Sequence, residues 1–208
     1  MSVLILATRN RHKVVELRRI LAETGLDDVE IRGLDAFPGV PDVAETGVTF
    51  AENAALKAGA VAVATGLPAV ADDSGLCVDV LGGAPGVFSA RWSGTHGDDR
   101  GNLELLLAQL RDVPDPRRSA YFGCAAVAAL PGGRQLVAEG RLVGSLTRQP
   151  RGSNGFGYDP IFVPEGEART TAELSLAEKN AISHRGRAFR ALASLLKPLL
   201  ITRSPDQP

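Results

Sequence analysis

Val3-Leu4-Ile5-Leu6-Ala7 opens the chain as an unbroken apolar run, the pattern of a strand buried on both faces in a parallel sheet. Polar Thr8 to Lys13 follow, and then Val14, Leu17, Ile20 and Leu21 recur at helical spacing. Asn10 stands where it can cap that helix. Val29 to Leu34 alternates as a second strand, and residues 35–47, with Pro38, Gly39, Pro41 and Gly47, predict a loop. Thr49 and Glu52 have capping-box spacing at the head of an Ala-rich helix that runs from Phe50 to Thr65 and stops at Gly66. Leu67 to Ala71 predicts a buried strand ending in the turn residues Asp72-Asp73-Ser74-Gly75, with a further strand over Leu76–Leu81 and a tight glycine loop at residues 82–86.

The second half continues in the same alternation. Asp98 or Asp99 caps a helix whose Leu103, Leu106, Leu107 and Leu110 form a core face. Asp112 to Arg118 reads as a charged, proline-containing linker. Tyr121–Leu130 and Gln135–Val143 predict a hairpin about Pro131-Gly132-Gly133. A glycine-rich loop over residues 150–160 leads into a strand at Phe162 and Val163. Ser175 and Glu178 repeat the capping box, and Ser183 caps a last helix with Phe189, Leu192, Leu195, Leu196 and Leu199 facing inward. Residues 202–208 read as a tail. Strands interleaved with helices predict an α/β fold.

Composition narrows the function classes. The 208 residues are 44% apolar and 23% charged, ordinary for a globular chain with a proper core. A net charge of −1 gives no basic field for a nucleic acid polymer. No apolar run is long enough to span a bilayer and no signal-peptide pattern opens the chain, so the expected setting is the cytoplasm. Cys77 and Cys124 lie inside apolar runs without metal or redox spacing, as buried thiols of a reducing compartment do.

Several polar residues suggest chemistry. Side chains of Asp72 and Asp73 point to opposite faces of an extended segment, so one can meet a ligand while the scaffold holds the other. Placed at a strand end they would occupy the usual ligand position of an open α/β sheet, although D-D-S-G is also an ordinary polar turn. Lys13, at a helix start, opposes the macrodipole. It marks an anionic ligand near Thr8–Lys13 or is a solvated lysine that the position tolerates. The P-loop signature is absent. Glu45 is not explained by a cap and can reach a cation held by Asp73; Glu139 is a weaker second acid. Arg91 is either a ligand contact or a structural donor. Phe156, between Gly155 and Gly157, has open ring faces suited to a nucleobase, or is a loop-edge core residue. His184 and Arg185 again put cations in a first helical turn.

Five segments together carry a resemblance: T-x-N-x-x-K at Thr8–Lys13, ETGVTFAENAALKA, ADDSGLCVDVLGGAPGVFSARWSG, GFGYDPIFVP and EKNAISHRGRAF. In this order, over residues 3–200, they resemble the inosine triphosphate pyrophosphatase family. The resemblance implies one two-lobed α/β domain over residues 1–201, with an elongated mixed central sheet, flanking helices and a cleft. It implies a homodimer and Mg²⁺-dependent hydrolysis of ITP, dITP and XTP to the monophosphate and pyrophosphate. By motif position it implies Asp73 as proton acceptor and metal ligand and Glu45 as second metal ligand. Thr8, Arg9, Asn10, Arg11, His12, Lys13, Lys57 and Ser74 are then triphosphate and sugar contacts. Phe156, Gly157, Tyr158, Asp159, Lys179, His184 and Arg185 line the base pocket. Two alternatives remain at this point: a pyrophosphatase for another modified triphosphate, or a nucleotide sensor without hydrolysis.

Overall fold

The computed structural model describes residues 2–9, 11–26 and 29–201, and no side-chain placement for residues 2, 11–13, 16 and 201. Asn10, the tail 202–208 and the side chains of Arg11, His12 and Lys13 therefore lie outside the described residues. Six strands form one mixed sheet in the order β2-β1-β3-β4-β5-β6. They are β1 (Ser2–Leu6), β2 (Val29–Gly33), β3 (Ala69–Val78), β4 (Ser119–Ala129), β5 (Gln135–Leu146) and β6 (Phe162–Pro164). Among the described residues five α-helices accompany them: α1 (Arg11–Glu23), α2 (Phe50–Thr65), α3 (Asp99–Gln109), α4 (Leu176–Ile182) and α5 (His184–Ile201). The chain divides into two compact units, Met1–Asp73 with Ala125–Gly140 and Arg187–Pro208, and Ser74–Cys124 with Arg141–Gly186.

In the first unit β1 pairs in parallel with β2 and β3. Leu4, Ile5 and Leu6 are fully buried, as a strand covered on both faces requires. Ile5 packs with Leu34, Val40, Val61 and a set of alanines, Ala54, Ala58 and Ala62 from α2 and Ala69 and Ala71 from β3. Small side chains let α2 lie close against the strands. Thr49 caps α2 by accepting the Glu52 N–H at 3.1 Å, and Gly66, at φ 67°, closes it with its N–H on Ala62. The reciprocal half of the expected box is displaced by one residue: the Glu52 carboxylate takes the Val48 N–H at 2.7 Å. Along α5, Phe189, Leu192 and Leu196 are buried as predicted, but Leu195 is 44% exposed. Three residues past Leu192 it keeps the helical spacing but stands at the solvent edge of the stripe.

The second unit has its own core, in which Leu103 and Leu106 of α3 and its C-cap Leu110 meet Leu76, Val78, Leu142, Leu146, Ile161 and Phe162. Asp98 caps α3 through the Gly101 N–H at 3.0 Å. β6 pairs antiparallel with β5. Ser175 and Glu178 complete the capping box of α4. Ser183 accepts the Gly186 N–H at 3.0 Å in the first turn of α5.

Two further expectations fail. Asp72–Gly75 is no turn between two strands but the middle of β3, a single ten-residue strand that ends at Val78 and gives way to a 3₁₀ turn at Asp79–Leu81. Gly75 serves close approach there: a Cβ would stand 2.4 Å from both the Gly86 carbonyl and the Ser89 hydroxyl. The glycine that looked like a turn signal makes room for the segment packed beside the strand. Arg118, read as part of a charged, proline-containing linker, is only 2% exposed. Its guanidinium donates to the carbonyls of Leu110, Leu146 and Thr147 at 2.7–2.9 Å, so it knits the end of α3 to the end of β5.

Candidate active site

In the first unit, three segments converge on one charged cluster. β3 supplies Asp73, the 37–49 loop supplies Glu45, and α2 supplies Asn53 and Lys57, which stand one helical turn apart on one face. The Lys57 ammonium lies 2.7 Å from Glu45 Oε1 and 3.6 Å from Asp73 Oδ1. Asn53, with no exposed surface, donates through Nδ2 to Asp73 Oδ2 at 3.1 Å. Along β3 the alternation places Asp72 on the other face, 5% exposed, while Asp73 stays partly accessible. Burial by itself pushes the Lys57 pKa down, but the charges of Asp73, Glu45 and Asp72 outweigh it, and the pKa lies above the ordinary lysine value.

Two carboxylates whose oxygens converge on one ammonium form a ready-made cation position. The donor set suits Mg²⁺, which takes one or two carboxylates and completes its shell with substrate phosphates and water. No group of three or more His, Cys, Asp or Glu that could hold a metal unaided exists among the described residues. Thr8 follows β1, its carbonyl accepting the Leu34 N–H. Arg9 donates to the Val40 carbonyl at 3.1 Å and reaches Asp42 at 3.5 Å. Glu139 is exposed on β5.

The second unit gathers the aromatic and remaining cationic candidates. Phe156 is 65% exposed, with the Lys179 ammonium 5.2 Å from its ring centroid. Both are held by Asp159, a 3% exposed carboxylate. One of its oxygens takes the Lys179 ammonium and the Phe156 N–H, and the other takes the Thr171 hydroxyl at 2.9 Å. Gly157 donates its N–H to Asp99 at 2.9 Å. Arg185 donates to the Ser74 hydroxyl at 3.2 Å, and His184 stacks on Phe122 with centroids 5.1 Å apart. Tyr158 differs from its expected role as a ligand contact: its ring belongs to the core and its hydroxyl donates to the Ser89 carbonyl. Burial first, and the Asp99 charge second, hold that phenol above its ordinary pKa. Arg91 lies 5.4 Å from the Phe88 ring centroid.

The Ham1 family model matches residues 4–195. The chain belongs to the Ham1 family. A dITP/XTP pyrophosphatase from Streptomyces avermitilis is 66% identical over 200 residues, covering 96% of this chain and 100% of that relative. A crystal structure of a nucleoside-triphosphatase, dITP/XTP pyrophosphatase, from Mycobacterium abscessus superimposes with a TM-score of 0.80 at 53% identity, over 95% of this chain and 99% of that one. The Staphylococcus aureus Ham1 protein superimposes with a TM-score of 0.87 at 36% identity, over 95% of this chain and 100% of that one. Within this Ham1-family site the sequence reading passed over Asn53. Its signal was the four-residue spacing to Lys57, hidden in an Ala-rich helix where a lone amide looks unremarkable.

Proposed function

We propose that this chain hydrolyses deaminated purine nucleoside triphosphates, ITP, dITP and XTP, to the monophosphate and pyrophosphate. The observation that carries the reading is the Glu45–Lys57–Asp73 cluster, a cation position built from two carboxylates and flanked by a lysine. Its chemistry matches what attack at an α-phosphorus needs: a proton acceptor, and positive charge for the phosphates. Water adds to the α-phosphorus, the bond to the bridging oxygen of the β-phosphate breaks, and pyrophosphate leaves.

Asp73 takes the proton of the attacking water and fixes its direction. Lys57 spreads its charge between the two carboxylates and the phosphate oxygens, and the surrounding acids keep it protonated at neutral pH. Glu45 and Asp73 would hold Mg²⁺, which when bound neutralises phosphate charge and lowers the pKa of coordinated water. Thr8 and the Arg9–Lys13 segment serve the triphosphate.

The Asp159-centred group supports recognition of the base. The exposed face of Phe156 offers a stacking platform. Lys179 has three N–H donors, and Asp159 takes one. A donor-lined pocket pairs with the 6-oxo group of hypoxanthine or xanthine and sets donor against donor for adenine, a mismatch that a polar site rejects strongly. Arg185, steered by Ser74, adds a further donor, and the stacked His184 stands next to it in the chain.

A homodimer follows from the family resemblance. A cytoplasmic setting agrees with Cys77 and Cys124, two buried thiols that are not joined in a disulfide. No helix among the described residues is long and apolar enough to cross a membrane. Asp73→Asn tests the catalytic assignment: ITP turnover should fall by about 10²–10⁴-fold while ITP binding persists. Turnover near the wild-type rate in that variant would remove Asp73 from its role.

A further inference from the structure

The geometry points to Asn53 as a positioning residue that aims the Asp73 carboxylate and ties it to the loop carrying Glu45; this rests on the function proposed above. Asn53 is fully buried and makes two polar contacts that lead to the two acidic residues. Its Oδ1 accepts the Gly47 N–H at 2.8 Å, two residues past Glu45. Its Nδ2 donates to Asp73 Oδ2 at 3.1 Å.

The orientation of the amide follows from its partners. A backbone N–H only donates and an ionised carboxylate only accepts, so the oxygen must face Gly47 and the nitrogen Asp73. An aspartate could satisfy Gly47 but would set charge against charge at Asp73. A leucine would satisfy neither. Asparagine is the residue of this size that serves both.

The approach of the loop is equally constrained. A Cβ on Gly47 would stand 2.6 Å from Glu52 Cβ and 2.8 Å from Asn53 Oδ1, so only glycine lets the loop reach the amide. With Asp73 Oδ2 held by Asn53, Oδ1 is the oxygen turned to the Lys57 ammonium, 3.6 Å away. Lys57 in turn holds Glu45 at 2.7 Å. One face of α2 thus sets the spacing of both carboxylates, by an amide bridge and, one turn later, by an ammonium bridge. A reacting group held through a buried neighbour stays aligned without reorganising during the reaction.

Asn53→Asp, in wild-type and Asp73→Asn backgrounds, separates positioning from simple support of the fold. The substitution keeps shape and the acceptor for Gly47 but removes the donor. At mildly alkaline pH we expect kcat for ITP to fall about 10²-fold with KM within about threefold. The unfolding midpoint should drop by roughly 3–8 °C in the wild-type background. The drop should be much smaller in the Asp73→Asn background, where the substituted amide can donate to the new carboxylate at position 53. Asn53→Ser, which removes the amide donor without adding charge, should lower kcat in the same direction. Equal midpoint losses in both backgrounds, or wild-type kcat in the folded Asn53→Asp protein, would overturn the proposal. Absence of ITP cleavage by the wild type counts against the proposed function alone, because the unfolding comparison still decides the Asn53–Asp73 contact.

Discussion

Replacing Lys57 with methionine probes the cation position directly. Methionine keeps an unbranched side chain of similar reach, so the change removes charge more than volume. In the wild type the ammonium stands 2.7 Å from Glu45 and 3.6 Å from Asp73. At an effective dielectric of about 20, each contact is worth about 4–6 kcal/mol before desolvation. Burying the ammonium offsets much of that, and removing one partner of a well-buried pair costs about 3–5 kcal/mol. Here the side chains of Lys57, Glu45 and Asp73 are 19%, 27% and 14% exposed, so solvent screening reduces the expected loss to about 2 kcal/mol.

For a chain of this size that loss lowers the unfolding midpoint by roughly 4–8 °C. The assay is thermal unfolding by circular dichroism, first with chelator and then with Mg²⁺. With chelator, Lys57→Met leaves Glu45 and Asp73 facing each other without the ammonium between them. Added Mg²⁺ should raise its midpoint by more than it raises the wild type's, since the metal need not compete with an ammonium. The elevated Lys57 pKa fixes the pH dependence. A raised folded-state value gives stability that is complete below the unfolded lysine pKa, about 10.4, and is lost as pH rises through the folded value. The gap between the two proteins should therefore be flat through neutral pH and close only under strongly alkaline conditions. Equal midpoints with chelator, or equal gains from Mg²⁺, would show that Lys57 does not occupy the cation position between Glu45 and Asp73.

Two other expectations follow from the second unit. Arg118→Met should destabilise the protein by about 2–4 kcal/mol in denaturant titration, because three carbonyls lose charge-assisted donors in a buried setting; an unchanged midpoint would contradict the clamp. Glu178 is held at a pKa of about 2 by its hydrogen bonds with Ser175, the side-chain bond first, and then by Arg169. Since that value is depressed, its stabilising contribution exists above the ordinary carboxylate range and is lost as pH falls toward 2. A side-chain NMR titration with a midpoint near the ordinary value would show that the cap does not hold in solution.

Much of the scaffold was legible because local rules and the fold agree. The caps of α2 and α4 and the Pro131-Gly132-Gly133 turn satisfy backbone groups within a few residues, and β1 announces its burial by an unbroken apolar run. What was hidden depends on contacts between distant segments. Turn-forming residues Asp72–Gly75 stay extended as the middle of the ten-residue β3, and Gly75 is needed by residues 86–89 rather than by a bend. Arg118 looks like linker charge until the carbonyls of α3 and β5 arrive around it. At the site, Asp73, Glu45 and Lys57 could be named from motifs. Asn53 lies in the same segment as Lys57, but its role appears only when Gly47 and Asp73 are both beside it. Tyr158 shows the opposite: a motif residue whose side chain the fold takes into the core.

The most direct measurement is phosphorus NMR of purified protein with Mg²⁺ and ITP, run beside ATP and GTP. ITP should give IMP and intact pyrophosphate, with ATP and GTP cleaved far more slowly. Release of orthophosphate as the first product, or equal cleavage of all three nucleotides, would contradict the proposed function.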